Sequence, residues 1–219
     1  MRLIRLLLAL SAVSLALTTN PALAQKLSFG PIAGVAIANW RGADVHASPS
    51  FHTGLMGGGF VALRLHKSFA LEAQVLYARK GTVDHDSTCA FAGSCQALTA
   101  SYTQDFIEIP LLFTVALPSR FAPTISAGPA VAFQTSCTFR STGPLSEAPC
   151  DSLFTGAAGH PSMKHTDALL VFGGGFQVGQ FGILVRYDQG LTKFLYRGTT
   201  DLDFKTKAWL VGVRYRLSR

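Results

Sequence analysis

Charged residues recur at alternate positions inside the apolar runs of this 219-residue chain: Arg64, Glu72, Glu108, Arg186, Asp188, Arg214 and Arg216. Two carboxylates such as Glu72 and Glu108, held together out of water, could divide general acid and general base work between them. The arginines in the same set point elsewhere. Charges taken out of water must pair, because an isolated buried charge is costly. We therefore read these residues as an interior salt-bridge network, with a catalytic carboxylate pair as the alternative.

The 6 histidines raise the question of a metal. His46, His52, His85, His160 and His165 fall in polar segments between apolar runs, and His66 falls in a short turn. Asp84-His85-Asp86 is the most ligand-like cluster, but its spacing fits no closed zinc site. His165 with Ser162, or His52 with Ser50, would suit a lipid-modifying enzyme at a barrel rim, yet neither pair has an evident carboxylate to orient the histidine. G-x-S-x-G and H-E-x-x-H motifs are absent. Gly57-Gly58-Gly59 and Gly173-Gly174-Gly175 precede no helix, so they are read as relief for a curved, crowded wall rather than as phosphate loops. No catalytic residue, metal or cofactor is expected.

The 4 cysteines suit an oxidising compartment. Cys89 and Cys95 share one segment between apolar runs, and Cys137 and Cys150 share another. Three pairings are open to four cysteines. Local bridges, Cys89 to Cys95 and Cys137 to Cys150, are expected, and neither spacing is the tight C-x2-C of a zinc site.

These residues need elements to hold them. Residues 104–117 show which kind. Ile107, Ile109, Leu111, Phe113, Val115 and Leu117 form one apolar row, with Glu108, Pro110 and Thr114 on the alternate row. Alternate side chains of a strand face opposite ways. A soluble sandwich buries the apolar row; a membrane barrel turns it to lipid and Glu108 to a polar interior. The same period recurs at 27–39, 54–65, 69–80, 122–135, 168–178, 181–191 and 205–217, which makes eight predicted strands. Connections after the first, third, fifth and seventh are long, and the others short. Such parity belongs to an up-and-down barrel with short turns on the periplasmic side and long loops outside. Phe69, Phe121, Phe181 and Tyr215 near the short turns, with Trp40, Tyr77 and Tyr102 at the other end, suggest two aromatic girdles. A proline within a closed barrel cannot donate to the ladder, so a β-bulge or a locally broken ladder is predicted at Pro110.

Composition agrees. Mean hydropathy is +0.31, yet only 14% of residues are charged and no later apolar run is long enough for a spanning helix. Residues 1–24 have a basic start, a short apolar stretch and Ala22-Leu23-Ala24, the pattern of a cleaved secretory signal. Residues 25–219 then form one barrel domain. The formal charge of +7 falls to about +5 without Arg2 and Arg5, and the basic residues are scattered. That suits anionic headgroups rather than nucleic acid.

The stretch Phe106-Ile107-Glu108-Ile109-Pro110-Leu111-Leu112 resembles the glutamate-proline strand of outer-membrane beta-barrel domain proteins often labelled PorT-like. Gly-Leu-Met-Gly-Gly-Gly-Phe at 54–60, Leu71-Glu72 through Arg79-Lys80-Gly81, and Gly212-Val213-Arg214-Tyr215-Arg216 are similar to the same family. The resemblance implies an all-β, eight-stranded antiparallel barrel in the bacterial outer membrane. Its partners would be outer-membrane lipid and the assembly machinery. Many such barrels end on an aromatic residue, whereas this chain ends Leu217-Ser218-Arg219. The expected product is a monomeric barrel with a plugged polar interior and a structural, binding or adhesive role carried by the outer loops. A secreted lipocalin-like barrel around an apolar ligand is the alternative, and it would invert the two faces.

Overall fold

The computed structural model describes residues 27–43, 50–89, 95–119, 121–142, 147–153, 161–193, 195–197 and 200–217. The predicted signal and its cleavage site, His46 and His160 lie outside them. Eight long strands dominate: β1 (Leu27–Arg41), β2 (Ser50–His66), β3 (Phe69–Cys89), β4 (Cys95–Ala116), β5 (Pro123–Ser141), β6 (Thr166–Val178), β7 (Phe181–Gly190) and β8 (Lys205–Tyr215). Each pairs antiparallel with its sequence neighbour, and β1 pairs with β8, so the sheet closes on itself. This is the up-and-down barrel expected from the alternation.

The alternate rows face as a membrane barrel requires. On β4, Ile109, Leu111 and Phe113 are 46%, 46% and 47% exposed, while Glu108, Leu112 and Thr114 are 0%, 2% and 7% exposed. Val61, Val75, Ile125, Phe172, Ile183 and Val213 continue the outer apolar belt on other strands. Inside, Ile32, Met56, Phe60, Leu76 and Leu210 pack with alanines on one wall. Phe106, Leu112, Leu169 and Val171 pack on another. Side chains thus fill the lumen, as the width of an eight-stranded barrel allows.

The strands run further than the apolar periodicity. β3 and β4 are 21 and 22 residues long, about twice what a tilted strand needs to cross a bilayer. The outward aliphatic row is shorter than these strands. Backbone pairing continues in register from Arg79–Asp105 up to Cys89–Cys95. At about 3.3 Å per residue, these ten steps carry the hairpin roughly 30 Å along the strands beyond the belt. Of the segments predicted as loop, residues 81–89, 95–100 and 136–141 are strand.

At Pro110 the prediction is met in one of its two forms. The β3–β4 ladder pairs Ala73 with Leu111 and Leu76 with Glu108, and pairing lapses between them without a change of register. The register shift of this region lies instead between Asp105 and Phe106, opposite Thr135. Thr135 Oγ1 donates to the Asp105 carbonyl at 3.1 Å there.

Of the first glycine triplet, only the inward member is forced to be glycine by space. A Cβ on Gly58 would sit 2.1 Å from the Val75 carbonyl oxygen, whereas one on Gly57 meets nothing closer than 3.8 Å. Gly58→Ala is expected to cost about 1–3 kcal/mol as the backbone shifts, and Gly57→Ala to be close to neutral. Urea midpoints of the two variants in detergent check this.

Candidate functional site

The alternation that faces aliphatics to lipid brings the charged residues inward from four strands. Arg186 and Asp188 stand two apart on β7 and so share its inner face. Arg186 Nη2 lies 2.5 Å from Glu108 Oε2, and its Nε lies 2.7 Å from Asp188 Oδ1. Lys80 Nζ reaches Asp188 Oδ2 at 3.0 Å and also pairs with Glu108. Two cations and two carboxylates, all nearly inaccessible to solvent, therefore neutralise one another in the barrel centre.

Amides extend the network toward the short turns. Arg186 Nη1 donates to Gln74 at 3.0 Å, and Gln74 donates to Glu72 at 2.6 Å. Arg214 Nη1 pairs with Glu72 Oε2 at 2.9 Å, and Arg214 Nε donates to Gln177 at 3.1 Å. Gly182, on β7 beside Arg214, leaves the room this guanidinium occupies. Glu72 and Glu108 are each held by their own cations, the arrangement of structural ion pairs rather than of a proton-exchanging dyad.

Five of the seven charges predicted for the interior, Glu72, Glu108, Arg186, Asp188 and Arg214, make these contacts. Arg64 and Arg216 line a vestibule at the short-turn end instead. Sequence reasoning left Lys80 out of the set. Its parity with Glu72 and Gln74 was the available signal.

A second assembly packs inside the long-loop end. Trp40 and Tyr102 point inward and pack at 4.8 Å between ring centroids, with Phe139 and Phe204 against them. Trp40 Nε1 donates to Gln104 at 3.2 Å, and Gln104 donates to Gln134 at 3.3 Å. Trp40 and Tyr102 are thus parts of a lid, not of the lipid-facing girdle predicted for them. The girdle at that level is Tyr187 beside Trp209, with Tyr77. Tyr77 and Arg79 both bind Asp105, at 2.6 and 2.8 Å. Phe69 with Phe113, and Phe181 with Tyr215, sit at the turn end.

Cys137 and Cys150 form a disulfide across this lid, with Cα atoms 5.3 Å apart. Glu147–Pro149 pairs with β5, and Cys150 opens a single helical turn, Cys150–Leu153. Cys89 stands opposite Cys95 in the β3–β4 ladder. Pro161–Met163, Leu195–Arg197 and Thr200–Leu202 form a small separate sheet. Reduction of the Cys137–Cys150 bridge, whose ends lie 13 residues apart, is expected to release about 3 kcal/mol of loop constraint. The barrel should stay folded. Limited proteolysis would then cut between Cys137 and Cys150 faster in Cys137→Ser than in the wild type, with unchanged heat-modifiable migration on gels.

Asp84-His85-Asp86 occupies consecutive positions of the β3 extension rather than a loop. Among the described residues, no three His, Cys, Asp or Glu side chains converge on a point that could hold a metal. His165 is exposed, and His52 lies half-buried beside Gly81 at the loop end of β2. The lipocalin-like inversion does not fit this barrel, because its charged row is inside and its aliphatic row outside.

A family model described as "outer membrane protein beta-barrel domain" matches residues 23–196. No curated protein sequence matches the chain. Solved structures include Ail of Yersinia pestis, at 13% identity and a TM-score of 0.41, covering 87% of this chain and 98% of that one. Neisserial surface protein A aligns at 13% identity and a TM-score of 0.47, covering 86% and 97%. OprG of Pseudomonas aeruginosa aligns at 8% identity and a TM-score of 0.43, covering 89% and 98%.

Proposed function

Because the chain belongs to the outer membrane protein beta-barrel domain family, and so to the bacterial outer membrane, we propose that it is a monomeric, non-catalytic barrel that binds or adheres through its long-loop end. Its N-terminus and short turns face the periplasm, and its long loops face outward. Outer-membrane lipid surrounds it, and the assembly machinery inserts it.

The observation that carries this reading is the contrast between centre and end. The centre is packed with neutralised charge and side chains, as the width of an eight-stranded barrel allows. Beyond the belt, β3, β4 and β5 continue as ordered strands, stapled by Cys137–Cys150 and backed by the Trp40 cluster. Pre-ordering a surface lowers the entropy lost on binding.

Two measurements test it. In planar bilayers the protein should show no steady conductance; stable open channels would contradict a sealed centre. Cells displaying the barrel should bind at least one of immobilised mucin, collagen or sulfated polysaccharide. Replacing residues 84–100 by a tight turn should abolish that binding while the barrel still assembles. Equal retention of both cell types on every surface would leave a structural role and refute the binding one.

A further inference from the structure

The short-turn mouth of the barrel is built differently from the neutral centre. A cavity of about 230 Å³ opens there, lined by Arg64, Arg214 and Arg216, and among the described residues Glu72 is the only acidic one in its wall. Glu72 is already committed to Arg214, at 2.9 and 3.3 Å. Arg214 also lies over the Phe60 ring, 5.2 Å from its centroid, and is held by Gln177. The other two guanidiniums are left over. None of the described residues accepts a hydrogen bond from the buried Arg216 Nε. Among the described residues, no carboxylate pairs with Arg64.

Like charges gathered at the mouth repel; Arg64 is exposed and Arg216 half-buried, and the inaccessible Arg216 Nε carries a desolvation cost that no acceptor among the described residues offsets. In the centre of this barrel every cation has its carboxylate. At the mouth the described residues set three guanidiniums against one carboxylate. Hydroxyl side chains of Ser68, Thr114 and Thr124 face the same space. Guanidinium forks match the paired oxygens of a phosphate, and hydroxyls donate to the remaining ones.

We infer that this vestibule is a binding site for a phosphate group, held by Arg64 and Arg216 with Arg214 at its floor. The volume fits inorganic phosphate or a small phosphate ester. A lipid phosphate entering from the adjacent leaflet offers the same chemistry. The site lies at the opposite end of the barrel from the loop surface and does not depend on that surface's role.

The test uses the refolded full barrel in a neutral maltoside detergent, free of phosphate and phospholipid. Inorganic phosphate and short-chain phosphatidic acid are titrated separately, with thermal unfolding and phosphorus NMR line broadening as readouts. The wild type should be stabilised and should broaden the signal of at least one probe. A response to inorganic phosphate assigns the site to free phosphate, and a response to phosphatidic acid alone assigns it to lipid. Arg216→Gln and Arg64→Gln should weaken the response at least tenfold, and Lys207→Gln at the other end should not. Without anion, Arg216→Gln should unfold no earlier than the wild type, since it relieves repulsion; with saturating phosphate that order should reverse. No response to either probe, or an undiminished response in both arginine variants, would overturn the site.

Discussion

Glu108→Gln is expected to lower the unfolding free energy of the barrel by about 3–5 kcal/mol, the usual cost of removing one partner from a buried ion pair. Glu108 accepts from Arg186 at 2.5 Å and pairs with Lys80, and its side chain is wholly buried. Its loss leaves two cations facing Asp188 alone. The cost arises from the unpaired charge more than from the missing contact. Lys80→Met together with Glu108→Gln restores neutrality and should recover most of the loss. Urea unfolding in detergent micelles, followed by tryptophan emission and gel migration, measures both. A double variant no better than the single one would show that the network does not act as a charge-balanced unit.

Leu111→Arg should have the next largest effect. Leu111 is the middle residue of the outward row of β4, between Ile109 and Phe113. A charge on the lipid face costs about 2–4 kcal/mol at mid-bilayer and about 0–1 near the interface. Ile107 is paired with Tyr77 near the loop-side edge of the belt. Ile107→Arg should therefore be several-fold less costly than Leu111→Arg when both are refolded into phospholipid vesicles. Similar losses at the two positions would mean that β4 does not cross the bilayer along this row.

Much of this architecture was legible because lipid imposes a rule on side chains that sequence displays directly. Ile109 and Glu108 could be assigned to opposite faces from their alternation alone, and short turns such as Gly179-Gln180 marked one end of the barrel. The rule lapses where lipid ends. Thr82, Val83, Tyr102, Thr138 and Phe139 favour strands, but outside the bilayer nothing demands an apolar row, so β3 to β5 looked shorter than they are. The same lapse hid Lys80, which fell at the end of its predicted strand. It also misplaced Trp40 and Tyr102, whose aromatic character is equally suited to a lid and to a girdle. Arg64 and Arg216 have the parity of the interior set, but parity fixes the face and not the depth. Their depth places them at the mouth, beyond the reach of the central carboxylates.

The two native tryptophans offer the most direct measurement of which face meets lipid. Trp209 lies in the outward row of β8 and is 48% exposed, whereas Trp40 is 5% exposed inside the loop-end lid. Trp40→Phe and Trp209→Phe each leave a single reporter. In vesicles whose acyl chains carry bromine near the headgroup end, Trp209 emission in Trp40→Phe should be strongly quenched relative to unbrominated lipid. Trp40 emission in Trp209→Phe should change little. Quenching of Trp40 with Trp209 spared, or no quenching of either, would contradict the assignment of the aliphatic rows to lipid and of Glu108 to the interior.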